Sequence, residues 1–293
     1  MSVLHDSRST GASCKNDPAR SRQLRLEPLE DRLVLSARAV NAVNQFGLDV
    51  YEHLQNEQGN LFFSPLSIAT GLTMAYEGAA GQTAAEMEQV LHLGSAPGIH
   101  DSFQNLIATL ESQTVVSSPM FPWEPPEIQL YTALANAMWP QVGLPLESSF
   151  VDTITTSYDG YAQNLDYSNP QQAEHTINNW VSQQTQGRIQ DLVSDLSSAT
   201  KMVLTNAIYF KGQWQSPFDP QYTYTGQFTT ADGPTVSTPT LYTELLVNRT
   251  EIDGFQILDL PFVEENASMV LVLPPTSDAS AQLTSEVITG IDD

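Results

Sequence analysis

Basic residues are scarce in this chain. There are 11 Lys and Arg against 34 Asp and Glu, a formal net charge of −23. Seven of the cations fall in residues 1–40, and only Arg188, Lys201, Lys211 and Arg249 follow. So acidic a body repels phosphate backbones and anionic headgroups, which excludes nucleic-acid and membrane-surface binding. Cysteine is scarcer still. Cys14 is alone, so neither an intrachain disulfide nor a thiol-rich metal site can form. No apolar run approaches the ~18 residues that would span a bilayer, so no membrane insertion is expected. The first forty residues also lack the continuous apolar core of a secretory signal. The histidines, His5, His53, His92, His100 and His175, form no H-x-x-x-H or H-E-x-x-H pattern, so no metal is expected. G-x-S-x-G and Walker patterns are missing too. The composition therefore points away from an enzyme, and no cofactor is implied.

What is present starts with a tail. Residues 1–23 are polar and rich in Ser, Arg and Asp, and they read as disordered. The next stretch, RLEPLEDRLVLSA (25–37), places Leu26, Leu29, Leu33 and Val34 at helical spacings. It resembles the LEPR-type segment that precedes exported or surface proteins of certain bacteria; an ordinary amphipathic helix is the competing reading. The resemblance implies an export address and an extracellular or cell-surface location. Residues 1–38 are thus taken as tail and targeting segment, and 39–293 as the folded domain.

Within that domain, AVNAVNQFGLDVYEHL (39–54) carries Val40, Val43, Phe46, Val50 and Leu54 at three- and four-residue spacings, which predicts a helix. Residues 61–63 read as a short strand, with Ser64 as N-cap and Pro65 opening a helix to about Tyr76. Gly78 and Gly81 break it, Thr83 and Glu86 suggest a capping box, and Gly94 a C-terminal stop. Residues 101–112 are helical in pattern, whereas SSPMFPWEPPE (117–127) holds four prolines and reads as a loop. A strand over 127–141, a helix beginning near Ser148 or Ser149, a short strand and a helix from Pro170 to about Gln186 follow. After them come short apolar segments, KMVLTNAIYFKG, QYTYTGQFTT, TVSTPTLYTELL, FQILDLPF and ASMVLVLP, separated by Gly, Pro or Asp. Helices lead and strands dominate later, which is an α+β order.

Isolated candidates for chemistry have plain explanations. The Gly78–Gly81 turn could hold an anion, but a tight interhelical turn accounts for it. Glu264 and Glu265 read as a solvated hairpin tip. Lys211, between an apolar strand and Gly212, reads as a strand-end charge.

Six segments in order resemble the serpin family. Residues 44–54 are similar to its first helix, and 60–94 follow N-x-F-x-S-P-x-S-I … G-A-x-G-x-T … L-x-L-G. Residues 134–150 resemble the A-N-x-x-F-x-Q strand and the helix after it. Residues 177–193 follow I-N-x-W-V-x-x-x-T-x-G-K-I-x-x-L, with Arg188 where lysine is usual. Residues 202–220 carry V-L-x-N-A-x-Y-F-K-G-x-W-x-x-P-F-x-P, and 259–274 resemble the late L-P-Y … S-M-x-x-x-L-P strands.

The resemblance implies a serpin-like multi-helix α+β domain with three β-sheets, incomplete at the C-terminus. It implies inhibition of a target serine or cysteine protease as a suicide substrate, through loop insertion and without catalytic residues. Residue by residue, Ser64, Ser67 and Asn206 match the family's shutter and Trp214 its breach. The hinge, reactive loop and last strands of the family have no counterpart before Asp293, so the chain alone is expected to fold poorly and to inhibit nothing. A vestigial or non-inhibitory scaffold protein is the alternative. No basic patch suggests a polysaccharide activator.

Overall fold

The computed structural model describes residues 27–275 apart from 58, 96, 119, 120, 122, 124, 125, 231, 232, 245–247 and 266. Cys14, the polar tail and residues 276–293 lie outside the described residues.

The first helix, α1 (Glu27–Leu54), begins well before the predicted Ala39 and runs unbroken past position 38. Of the predicted face, Val43 and Phe46 are buried, together with Ala39 and Ala42, and Val50 and Leu54 are half-buried, whereas Val40 is exposed. The predicted strand at 61–63 does not form. Phe62 is 99% exposed and no described strand lies beside this segment, so its backbone groups have no ladder to join. Helix α2 (Pro65–Glu77) starts as expected: the Ser64 hydroxyl accepts the Ser67 backbone N–H at 3.2 Å, and Pro65 occupies the first turn.

The expected capping box of the next helix is absent. In α3 (Gly81–Val90) the chain has already become helical at Gly81, with Ala80 at the N-cap, and Glu86 accepts from the Gln82 side chain instead. Its end also differs from the reading at Gly94. His92 takes the left-handed conformation at φ 53°, its N–H reaching Gln89 O and that of Leu93 reaching Glu88 O, a Schellman closure two residues before Gly94. Asp49 of α1 holds the His92 ring at 2.7 Å.

Helix α4 (Ile99–Ser112) leads through β1 (Val115–Val116) and the proline-rich loop into β2 (Ile128–Pro140). Then come α5 (Ser148–Ser157), which starts behind Glu147 without a side-chain cap, β3 (Tyr161–Ala162), α6 (Pro170–Gln184) and β4 (Met202–Gly212). The remaining strands are β5 (Tyr224–Thr229), β6 (Thr235–Thr240), β7 (Asn248–Ile252), β8 (Phe255–Pro261) and β9 (Ser268–Leu273). Strand β7 was not anticipated because NRTEI is polar. It is set by the two-residue Asp253–Gly254 turn, both at positive φ, that pairs Ile252 with Phe255.

Among the described residues the strands form three sheets. In the central one β2 pairs with β1 and β3 and, in antiparallel register from Leu130↔Gly212 to Pro140↔Met202, with β4. A hairpin β5–β6 makes the second and β7–β8–β9 the third. Alternation along β2 sends Leu134 and Met138 into a core built with α1, α2, α4 and α5, and Ala135, Ala137 and Trp139 into a second core beneath α6.

A Cβ added at Gly160 would stand 2.7 Å from the Ile154 carbonyl oxygen, where the chain leaves α5 for β3. Gly160→Ala is therefore expected to lower stability by about 1–3 kcal/mol. Urea unfolding measures it; an unchanged midpoint would show that the turn relaxes without cost.

Candidate functional site: a polar network beneath the central sheet

Even-numbered positions of β4 face α2, so Asn206 and Ser67 meet. The Ser67 hydroxyl donates to the Asn206 side-chain oxygen, and Asn206 Nδ2 donates to Asn136 Oδ1 directly opposite on β2. Asn136, buried, passes the chain on by donating from Nδ2 to the Tyr158 carbonyl at 2.8 Å. Four elements are thereby joined through side-chain amides. Each amide would cost about 1–3 kcal/mol if left unpaired. A one-residue slip of β4 would move Asn206 to the α6 face and strand both groups.

A second relay leaves from the same Tyr158. Its phenol is fully buried, which raises its pKa and keeps it protonated, so it donates to His100 Nδ1 at 2.7 Å. That bond fixes the tautomer: His100 Nε2–H donates to Glu77 Oε2 at 2.9 Å, and Glu77 Oε1 also accepts from Thr153 Oγ1 at 3.3 Å. Burial lowers the His100 pKa from 6.5 and outweighs the opposing pull of Glu77 and Asp101. The ring lies between Tyr76, stacked on it, and the edge of Tyr158.

Of the residues singled out in the sequence, Ser64, Ser67 and Asn206 are brought together. Ser64 serves as helix cap, its hydroxyl accepting the Ser67 N–H while the Ser67 hydroxyl turns to the sheet. Trp214 is held elsewhere, just past the end of β4, stacked on Phe262 at 4.6 Å and edge-on to Phe218. It ties the central sheet to the third through the Trp214↔Phe262 bridge. Lys211 is an exposed residue near the end of β4, opposite Tyr131. The participants not read from the sequence are Asn136, Tyr158, His100 and Glu77. Only Asn136 left a signal, an amide inside the apolar run LANAMW. Among the described residues there is no cluster of three or more His, Cys, Asp or Glu able to hold a metal, and no helix is long and apolar enough to cross a membrane.

Comparison with known proteins places this architecture. The sequence profile of the family described as Serpin (serine protease inhibitor) matches residues 41–292. An uncharacterized serpin-like protein of Thermococcus kodakarensis is 39% identical over 80% of this chain and 53% of its own length. Mouse antithrombin-III is 32% identical over 84% of this chain and 53% of its own length. The crystal structure of Manduca sexta serine protease inhibitor (serpin) 12 superposes with a TM-score of 0.75 at 27% identity, covering 86% of this chain and 69% of that one. The chain spans about half the length of the curated relatives it matches.

Asn206→Ala removes the partner of Ser67 and of Asn136 together and is expected to cost about 1–3 kcal/mol. Combined with Asn136→Ala it should show a coupling of about 0.5–3 kcal/mol in a double-mutant cycle; strict additivity would deny the network. The depressed His100 pKa means that the unfolded chain binds the extra proton. Its contribution to stability is therefore complete above 6.5 and is lost as pH falls below that value toward the folded-state pKa. Denaturation curves between pH 7.5 and 5 should show this loss in the wild type, and His100→Gln should lack that share of it.

Proposed function

The chain belongs to the serpin family, and we propose that it provides the scaffold of a protease inhibitor that works by conformational trapping. The observation that carries this reading is the Ser67–Asn206–Asn136 network beneath β4, whose outer edge pairs with no described strand. A strand edge offers a row of N–H and C=O groups to an incoming strand. The proposed chemistry belongs to the protease. Its nucleophile attacks a scissile carbonyl in a reactive segment, the amide bond breaks, the amine leaves protonated, and an acyl link joins the two proteins. Insertion of the freed segment beside β4 then traps the acyl-enzyme before water reaches it.

In this scheme Ser64, Ser67 and Asn206 are the shutter, holding β4 to α2 until the sheet opens, and Trp214 marks the breach. The reactive segment is not among the described residues, so the target protease stays open. The acidic body favours no polysaccharide activator, nucleic acid or membrane surface as partner. The segment at 25–37 supports export, hence an extracellular or surface location.

The test is to incubate the protein, in the longest form its gene encodes, with trypsin-, chymotrypsin-, elastase- and papain-like proteases. A covalent complex that survives SDS electrophoresis is expected with at least one of them. Cleavage of the inhibitor without any such complex across the series would overturn the inhibitory reading and favour a non-inhibitory scaffold.

A further inference from the structure

The His100 relay ends on a cavity that the inhibitory reading does not use. A cavity of about 610 Å³ lies among the C-terminal end of α2, α3, the loop into α5 and the first residues of β4. That volume is within the range of small-molecule sites. Met87, Leu146, Phe150, Met202 and Leu204 make its walls apolar, and the carboxylates in the lining are Glu77 and the exposed Glu147.

Glu77 is unusual in how it is held. Its side chain is 24% exposed, and it is oriented by two donors, His100 Nε2–H and the Thr153 hydroxyl. Neither donor brings charge. The hydroxyl has none, and burial keeps the imidazole neutral at ordinary pH. Among the described residues no Lys or Arg pairs with this carboxylate. A fixed negative charge on an apolar wall, without a counter-ion, interacts strongly with any cation that reaches it through a medium less polar than water.

The cavity also says which cation. A hard metal ion needs six or more oxygen ligands, and the side-chain oxygens in the lining belong to Glu77, Glu147, Thr83 and Ser149 beside an apolar surface. An anion meets two carboxylates. The surroundings fit a charged nitrogen carried on hydrocarbon. We propose that this cavity binds a small primary amine with a compact apolar or aromatic body, its ammonium on Glu77 and its body against Met87, Phe150 and Met202.

Three near-isosteric probes test this with the full chain at pH 7.5: phenethylammonium, phenethyl alcohol and phenylacetate. Binding is followed by the ¹³C-methyl resonances of Met87 and Met202. The ammonium is expected to shift both methyls and to bind about ten- to a hundredfold more tightly than the alcohol, the range for one added charged hydrogen bond, with phenylacetate weakest. Glu77→Gln should bring the ammonium to the level of the alcohol. Thr83→Phe, which adds bulk on the α3 side of the cavity and leaves the Glu77 carboxylate in place, should abolish binding of both. The proposal fails if ammonium and alcohol bind alike, if the preference survives Glu77→Gln, or if neither methyl responds. The comparison of probes on the wild type decides the matter even if a variant does not fold.

Discussion

Two asparagine side chains facing each other across β2 and β4 tie the layers of this protein to one another. Asn206 alone would bond α2 to a strand, and Asn136 alone would bond a strand to α5. Joined, they make a single polar column through the middle of an apolar contact, from Ser67 to the Tyr158 carbonyl. Hydrophobic burial around them is non-directional and would tolerate several sheet registers. The column tolerates one, because a shifted β4 would leave the buried Asn136 amide without its partner. The same property suits a sheet that opens. In the proposed inhibitory reading, such a lock holds with a few hydrogen bonds for which an incoming strand offers replacements.

Tyr158 is the hinge between this lock and the rest of the helical core. Its carbonyl ends the asparagine chain, and its phenol begins the relay through His100 to Glu77. The relay is mostly apolar in its surroundings and neutral in two of its three members. Charge is therefore left on Glu77, at the wall of the cavity. The contrast with the surface is instructive. Many other acidic groups, Glu52, Glu57, Glu86 and Asp101 among them, are exposed to water. Here one acid is shielded and fixed, and its charge becomes specific.

Much of the fold was legible because it rests on local rules. The stripe Ala39, Ala42, Val43, Phe46 repeats at the helical period, Ser64–Pro65 is a helix start, and the alternation in 128–140 is that of a strand. Misreadings came where tertiary contacts overrode local signals. LFF at 61–63 has strand composition but no described partner. His92 rather than Gly94 closes α3, and the ring at that position is held by Asp49 from a helix far away in sequence. Strand β7 was missed because its register comes from a turn, and Asp253–Gly254 could have revealed it. At the site, ordered motifs led to Ser67 and Asn206. Asn136 showed only as an amide inside the apolar run LANAMW, and His100 and Glu77 stand at no telling spacing, since their partners come from other elements.

The sequence by itself determined the family, the α+β order of elements and the acidity of the body, because ordered motifs, periodicity and charge are properties of the chain before it folds. Only the tertiary structure decided what the polar residues do. Hydrogen bonds and burial arise between elements distant in sequence. The fold separated Trp214 from the asparagine network, turned the Ser67 hydroxyl to Asn206, set Asn136 opposite Asn206 and placed Glu77 on the wall of a cavity.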